Sequence, residues 1–485
     1  MQLQGLSSHD LTWGGRVVQV GKLAAPAAAT MMSYSLVGLV DTLAVGQLGP
    51  SALAAVGLAN TILMTAGATV TGLLSATTAL TAQNEGAGQK AEAGQYLHQA
   101  TWLGVVGGGL VGLLLAVFAA PLFALVQPGD EVTRLGVPYL QIRALGLPLF
   151  YLVMARDHFL EGLGDTRTPM QVSLLVNVVN AVLNYTLIYG LLGIPALGVN
   201  GSAVATVLAH LISFVAYRLP LARLHRRAPE YQILPLQKPR LSAMRQMLAV
   251  GWPMSVQYTL DLGAWLLMTI QMTWLGALAQ AGHQVALRLL GVSFMTIHGV
   301  SVAATTLVGQ YLGAGEVSRA RQYAWAALLV GLGITGVTSA LYLLIPEWLA
   351  HIFTSDPEVV TLAGQLLMMG ALLQVVDTLA MVTYGALKGA GDTRYPMVVL
   401  LACAWGVGLP LTWLLVGPMG LGPHGIYWAV TGQLVVAATL MLRRLLGDRW
   451  LYQSLVAVRT QVEQVQQRLS EVVQPEAPAS ERLGA

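Results

Sequence analysis

The chain has 485 residues, and only 10% of them carry charge, whereas soluble domains carry about 25%. Hydrophobic residues make up 55% of the chain and the mean hydropathy is +0.65, so too little polar surface is available to cover a soluble fold of this size. This composition excludes a soluble enzyme and a disordered chain, and the single cysteine excludes a disulfide-stabilised secreted scaffold. The net charge of +3 is too small to indicate a nucleic-acid partner. The composition therefore indicates a polytopic membrane protein.

The apolar segments have the length of membrane-spanning helices. A bilayer core about 30 Å thick needs about 20 apolar residues per helix, and lipid tolerates only helices or closed barrels. The apolar runs are too long for barrel strands, so the sequence predicts an all-α integral membrane protein with twelve transmembrane helices in two pseudo-symmetric six-helix bundles. In chain order the predicted helices span residues 18–46, 53–80, 97–126, 135–158, 168–192, 199–220, 246–273, 282–308, 321–349, 359–386, 395–416 and 425–446.

A polar segment rich in arginine and proline separates the two bundles. Beyond the last helix, apolar residues from Leu451 to Val472 recur at alternating spacings of 4 and 3, which predicts an amphipathic helix. This tail helix would contact the membrane, the inner face of the protein, or another chain. The expected segments are a cytoplasmic N-terminus at 1–17, an N-terminal bundle at 18–220, a basic cytoplasmic linker at 221–245, a C-terminal bundle at 246–446 and a cytoplasmic tail at 447–485.

Basic residues predict the orientation, since Lys and Arg concentrate on the cytoplasmic side of membrane proteins. If the N-terminus is inside, only Arg134, Arg143 and Arg288 of the 25 basic residues lie away from the cytoplasmic side. We therefore expect a multi-pass protein of the inner or plasma membrane with both termini in the cytoplasm. Residues 1–17 lack the continuous apolar core of a signal peptide, so the first helix is expected to serve as its own insertion signal.

The two halves are related by an internal repeat. The motif Gly-x-Gly-Asp-Thr-Arg at 162–167 returns at 389–394, an offset of 227, and the same offset relates Gln83 to Gln310. In each motif, glycine is expected to supply a positive φ and aspartate to cap the next helix. Two parallel six-helix halves are typical of secondary transporters, whose substrate path lies between the halves. A duplicated bundle that serves only as a channel is the alternative.

These motifs resemble those of the multidrug and toxic compound extrusion (MATE) transporters. The resemblance also rests on Val-Asp-Thr-Leu-Ala-Val-Gly at 40–46 and His-Gln-Val-Ala-Leu at 283–287, extends over about residues 15–446, and is most similar to the NorM branch. The resemblance implies a monomeric protein with no enzymatic activity and no cofactor.

The function that the resemblance implies is secondary active antiport: export of small, mostly cationic and lipophilic organic compounds in exchange for H+ or Na+, with drug resistance as the outcome. A flippase for lipid-linked precursors or polysaccharides, from the same superfamily, is one alternative, although its cavity is expected to be more cationic. A channel or sensory membrane protein without stoichiometric coupling is another. No nucleotide-binding loop, nucleophile elbow or Cys/His metal spacing occurs in the chain, so energy is expected from an ion gradient.

Three acidic residues stand well inside predicted apolar spans: Asp41, Asp261 and Asp377. A carboxylate in the membrane costs several kcal/mol unless it is paired, protonated or bound to a metal, so each is a candidate functional residue. All three also differ from the residue at the equivalent position of the other half, so they are not inherited from a duplicated scaffold. Structural, hydrogen-bonded carboxylates are the alternative interpretation.

The fifth predicted helix carries Asn177, Asn180 and Asn184 at spacings that place them on one helical stripe. Such amides either hold neighbouring helices together or organise a site. The resemblance places this helix beside Asp41, which favours a coupling site with one carboxylate.

In the C-terminal half, the resemblance implies that Asp261 and Asp377 bind the coupling ion, either H+ or Na+, and the drug. Gln284 and, more weakly, Asp356 match substrate-contacting positions, and a helix N-cap ahead of Pro357 is the alternative role for Asp356. The NorM branch typically has Glu where this chain has Asp261 and often an aromatic hydroxyl where it has Phe294, so the choice between sodium and protons stays open.

Overall fold

A computed structural model describes residues 12–191, 193 and 195–451, and gives only the backbone of Trp265. Residues 1–11 and the tail beyond 451, with the amphipathic helix expected there, lie outside the described residues. Within the described part, the chain is almost entirely helical and contains no strand. The helices are α1 (Trp13–Gly46), α2 (Pro50–Gly86), α3 (Lys90–Val126), α4 (Asp130–Leu145), α5 (Leu147–Gly162), α6 (Arg167–Tyr189), α7 (Val199–Ala216), α8 (Arg218–Arg227), α9 (Leu241–Trp274), α10 (Ala277–Gly313), α11 (Val317–Leu344), α12 (Pro346–His351), α13 (Pro357–Gly389), α14 (Arg394–Cys403), α15 (Leu409–Val416) and α16 (Gly422–Leu446).

The spans follow the predicted order, and the all-α membrane fold class is confirmed. Ten helical segments of the described chain are long and apolar enough to cross a membrane, and the bent pair α4 and α5 would make an eleventh. Helix α9 has 34 residues and stands where the seventh span is expected, although it is not among those ten. Its sequence includes Arg245, Gln257 and Asp261, which lower its apolarity.

Three predicted helices are interrupted next to a proline, and a fourth, predicted at 199–220, is divided between α7 and α8 at Tyr217. The helix predicted at 135–158 consists of α4 and α5, which meet at a 46° bend. The helix predicted at 321–349 is divided between α11 and α12, and the one predicted at 395–416 contains a π-helical turn at Ala404–Gly408. Pro148, Pro346 and Pro410 lie at the start of the segment after each interruption, because proline has no N–H to donate to the preceding turn. The single helices predicted at 135–158 and 321–349 are therefore pairs of shorter helices in the structure, whereas Arg394–Val416 still counts as one apolar span.

The helix bounds repeat at the same offset as the sequence. Helix α2 starts at Pro50 and α10 at Ala277, 227 residues later, and α6 and α14 start at Arg167 and Arg394, again 227 residues apart. Gly164 and Gly391 have φ values of 83° and 84°, in the left-handed region that favours glycine, as predicted.

The predicted helix caps differ between the two copies of the motif. Asp165 Oδ1 accepts a hydrogen bond from the backbone N–H of Thr168 at 3.0 Å, which is the expected cap. Asp392 instead accepts one from Arg444 Nε at 2.8 Å, so the prediction is wrong in the second copy. Because Arg444 lies on α16, Asp392 joins the turn to the last helix and does not cap α14.

The halves interlock through their first two helices. Helix α1 packs against α10, and α2 packs against α9. A side chain at Gly299 of α10 would meet the backbone of Ala24 and Ala28 in α1, so glycine permits the close approach. Ser255 Oγ in α9 donates to the backbone carbonyl of Thr69 in α2 at 2.7 Å.

Two equivalent hydrogen bonds join the halves at one end of the bundle. Gln83 Nε2 donates to the carbonyl of Gly389 at 2.8 Å, and Gln310 Nε2 donates to the carbonyl of Gly162 at 3.0 Å. We call these four residues the glutamine latch. They lie close to the turns that start α3, α6, α11 and α14, and the start of α3 reaches the linker through an ion pair between Lys90 and Glu230 at 2.8 Å. We therefore call this end of the bundle the linker end.

Candidate functional site

Asp41 lies in a polar pocket formed by α1, α6 and α7. Its side chain is only 3% exposed. Asn184 Nδ2 donates to Asp41 Oδ1 at 2.6 Å, and Thr206 Oγ1 donates to Asp41 Oδ2 at 3.2 Å. Both carboxylate oxygens therefore accept a hydrogen bond, which lowers the cost of keeping a charge inside the membrane.

The predicted asparagine stripe is divided between two contacts. Asn184 Nδ2 also donates to Asn180 Oδ1 at 3.0 Å, so these two amides together position one donor at Asp41. Asn177 donates instead to Ser33 Oγ on α1 and does not bond to Asp41. Asn177, two helical turns from Asn184, therefore joins α6 to α1, which is the packing role that the sequence left open, while Asn180 and Asn184 reach the acid.

Helix α4 adds a positive charge that the sequence analysis did not place here. Arg143 interacts electrostatically with Asp41, although it forms no salt bridge with it among the described residues. The Nη1 atom of Arg143 is buried and has no hydrogen-bond partner in the described part of the chain. Tyr139, one turn earlier, is fully buried and also interacts electrostatically with Asp41. Asp41 thus has a nearby cation that does not neutralise it by direct contact.

In the C-terminal half, Asp261 on α9 and Asp377 on α13 lie close enough to interact electrostatically. The two carboxylates are partly exposed and interact electrostatically, so their charges repel each other. Gln257 Nε2 donates to Asp261 Oδ2 at 3.5 Å, whereas Asp377 has no hydrogen-bond or ion-pair partner among the described residues. Two neighbouring acids that lack a cationic partner form a site that a cation or protons would stabilise.

Neither Gln284 nor the weaker candidate Asp356 forms a hydrogen bond with these acids among the described residues. Gln284 is exposed on α10, while its neighbour His283 is buried and contacts the Tyr427 hydroxyl at 3.3 Å. Asp356 caps α13 by accepting a hydrogen bond from the backbone N–H of Glu358 at 3.0 Å. It stands 21 residues before Asp377 on this helix, a separation of about 30 Å along the axis. The structure therefore favours the capping role for Asp356.

Sequence reasoning missed two buried acids near the linker end. The helix predicted to end at 158 continues to Gly162, so Asp157 and Glu161 lie inside the bundle rather than at its rim. Asp157 is 5% exposed and Glu161 is 1% exposed. His158 Nδ1 lies 3.0 Å from Glu161 Oε2. The helical period of α5 could have indicated their burial had the helix end been placed correctly.

No cluster of three or more His, Cys, Asp or Glu side chains that would hold a metal occurs in the described part of the chain. A sodium ion would therefore use carboxylate, amide and hydroxyl oxygens. The Asp41 pocket offers such a set, including Asn184 Oδ1, which is buried and has no partner among the described residues.

Comparison with known proteins agrees with this arrangement. The MatE family model matches residues 26–186 and 253–414, and the two matched segments begin 227 residues apart. The chain belongs to the MATE family. Members of this family are transporters, so the predicted family and the prediction that the chain is not an enzyme are both confirmed.

Curated relatives cover most of this transporter. The probable multidrug resistance protein NorM of Pasteurella multocida is 30% identical over 430 residues, which cover 87% of this chain and 92% of the relative. The multidrug resistance protein PmpM of Pseudomonas aeruginosa is 32% identical over 433 residues, which cover 87% and 90%. A solved structure described as the outward-facing conformation of a multidrug resistance MATE family transporter has a TM-score of 0.81 at 22% identity and covers 89% of this chain and 96% of that chain. At this identity, the structural likeness establishes the fold.

Proposed function

We propose that this transporter is a secondary active antiporter that exports small lipophilic organic cations in exchange for protons or sodium ions. The observation that carries the proposal is the pair of partly exposed carboxylates, Asp261 and Asp377, which lack a cationic partner among the described residues. A cationic drug, a sodium ion or protons would each relieve their repulsion. The names of the curated relatives, which are multidrug resistance proteins, support a broad substrate range.

Antiport follows if the drug and the coupling ion compete for the same charges. A cation bound at Asp261 and Asp377 disfavours protonation of these acids, and protonation in turn weakens the binding of a cation. Each ligand then drives the release of the other, provided that the loaded states change conformation differently. In the N-terminal half, ion binding would neutralise Asp41. This neutralisation would change the hydrogen bonds that join α1 to α6 and α7.

Alternating access requires that each end of the bundle opens in turn. The glutamine latch closes the linker end, which the distribution of basic residues predicts to be cytoplasmic. In this proposal, the transporter is a monomer in the inner or plasma membrane with both termini in the cytoplasm. In this proposal, the closed latch keeps drug from entering the pathway from the cytoplasm.

The acids and amides of both pockets favour cationic substrates over the pyrophosphate-linked lipids of a flippase. In the described part of the chain, Arg143 is the one arginine whose charge interacts with Asp41. A single cation beside an acid gives a poor binding site for a multiply charged anion. A channel would need no carboxylates that exchange one cation for another.

Replacement of Asp377 by asparagine tests this proposal. Asp377→Asn keeps the shape of the side chain but removes the charge, so ion-driven ethidium efflux from proteoliposomes is expected to fall by about 10-fold or more. The matched control is Asp130→Asn, which changes an exposed aspartate in the first turn of α4. Efflux by Asp377→Asn at the wild-type rate, with a pH gradient and with a sodium gradient, would contradict the proposed role of Asp377 in ion coupling.

A further inference from the structure

The two halves carry the same acid–tyrosine pair with the residues exchanged. At the offset of 227, Tyr34 in α1 corresponds to Asp261 in α9, and Asp157 in α5 corresponds to Tyr384 in α13. In both halves, one member stands on the first helix and the other on the helix that precedes the Gly-Asp-Thr-Arg turn. Each half therefore has one acid in this pair. The proposed coupling acid Asp261 lies on the first helix of its half, whereas Asp157 lies on the helix before the turn motif of its half.

Asp157 is held by two tyrosines from different helices. Tyr34 donates its hydroxyl hydrogen to Asp157 Oδ2, and Tyr217 at the end of α7 donates to Asp157 Oδ1. No salt bridge to Asp157 occurs in the described part of the chain, although Asp157 is almost fully buried. The Tyr34 side chain is 36% exposed at the surface of α1, and its hydroxyl group is hydrogen-bonded to this buried acid.

The hydrogen bonds of this group suit both protonation states. An ionised Asp157 accepts from both phenols, and a neutral Asp157 accepts from one phenol while it donates its own hydrogen to the oxygen of the other. In the second half, Asp261 and Tyr384 interact electrostatically, but the Tyr384 hydroxyl is buried and has no hydrogen-bond partner among the described residues. The acid and the tyrosine of the exchanged pair are thus hydrogen-bonded in the N-terminal half and not hydrogen-bonded in the C-terminal half.

A row of polar side chains lies between Asp157 and Asp41, although no hydrogen bond among the described residues joins Tyr34 to Ser33 or Asn177 to Asn180. Tyr34 and Asp41 are seven residues apart on α1, or about 10 Å along the helix axis. Ser33, next to Tyr34, accepts a hydrogen bond from Asn177, and Asn180 and Asn184 continue the row on α6 as far as Asp41. The Oδ1 atom of Asn177 and the Nδ2 atom of Asn180 are buried and have no partner in the described residues. This arrangement gives Asn177 a place in the row although it does not touch Asp41.

We propose that Asp157 is a second proton-binding carboxylate of the transporter, which passes protons between the Asp41 pocket and the linker end. The inference rests on the proposed function with protons as the coupling ion. A proton released from the Asp41 carboxylic acid converts the Asp157 carboxylate to the acid, and loss of that proton to water at the linker end restores the carboxylate, so both tyrosines keep their hydroxyl hydrogens. The titratable and charged groups around Asp157 are Tyr34 on α1, Tyr217 on α7, and Arg156, His158 and Glu161 on α5. Through Glu161, the surrounding groups also include Tyr258 on α9, His298 on α10 and Lys388 on α13.

The test separates proton-coupled transport from drug exchange in proteoliposomes. Net export driven by a pH gradient requires proton passage, whereas exchange of labelled for unlabelled ethidium does not. Asp157→Asn is expected to lower net export by about 10-fold or more while exchange stays within about two-fold of wild type. Tyr34→Phe keeps the carboxylate but removes one donor to its ionised form, so the pH midpoint of net export is expected to rise. Asp130→Asn again serves as the exposed-acid control.

The outcomes distinguish this inference from the proposed function. If Asp157→Asn lowers net export and exchange by the same factor, Asp157 only braces α1 and α7, and the inference is overturned. Unchanged net export in Asp157→Asn, with a wild type that responds to pH, also overturns the inference and leaves the antiport proposal in place. A wild type that responds to sodium alone overturns both the inference and the proton form of the proposed function.

Discussion

Asp41→Asn is expected to abolish ion-driven export while the helical bundle stays folded. The asparagine has the shape of the aspartate and still accepts from Asn184, and the Thr206 hydroxyl can rotate to accept from the new amide. What the variant loses is the ability to change charge when an ion binds. Because this change is proposed to control the contacts of α1, export of ethidium from proteoliposomes is expected to fall by about 100-fold.

Thermal unfolding and drug binding complete the experiment on Asp41. The melting temperature of Asp41→Asn should lie near that of wild type, since burying a neutral amide costs less than burying a charge. The control Asp130→Asn removes an exposed carboxylate of the same half and should export at the wild-type rate. Full ion-driven export by Asp41→Asn would show that the first-helix acid takes no part in coupling.

Gly313→Val is expected to prevent closure of the linker end and so to reduce export by about 10-fold or more. A Cβ at Gly313 would collide with the backbone of Gln83, and one at Gly86 would collide with the backbone of Gln310. These contacts are backbone against backbone, so no side chain can move aside. The halves would have to separate at the glutamine latch, which would leave the pathway open on the side from which drug is taken up.

Cysteine labelling measures this separation directly. In a Cys403→Ser background, a cysteine at Ala82 would be buried against Gly309 in the closed state. A membrane-impermeant maleimide supplied from the linker side should label Ala82→Cys faster when Gly313→Val is also present. Gly109→Val is the matched control, because nothing lies within 4 Å of a Cβ at Gly109. Equal labelling and export rates in the two valine variants would mean that the latch does not control access.

Much of the fold could be predicted from the sequence because lipid imposes a strong constraint on helix length and polarity. Apolar runs located the spans, and the turn motifs located the repeat whose offset appears in the helix bounds. The interruption at Gly146 and Pro148 was missed because apolar residues continue through it, and a bend leaves hydropathy unchanged. The breaks near Pro346 and Pro410 were missed for the same reason.

The candidate site was only partly predictable. A carboxylate in an apolar helix is conspicuous, so Asp41, Asp261 and Asp377 could be selected by position alone. Thr206 and Arg143 come from other helices, and threonine in a transmembrane helix is too common to attract attention. Their proximity to Asp41 is a property of helix packing that a single sequence does not reveal. Asp157 was overlooked because the end of α5 was placed one turn too early.

The central claim is that export of an organic cation is exchanged for an ion, and gradient-driven uptake into inverted membrane vesicles measures it most directly. A fluorescent cation is followed with a pH gradient alone and with a sodium gradient alone, and the movement of the ion is recorded at the same time. The account predicts uptake with at least one of the gradients, ion movement in the opposite direction that depends on the cation, and neither effect in Asp41→Asn. Cation uptake that is independent of both gradients, or ion flux that continues unchanged without the cation, would contradict antiport.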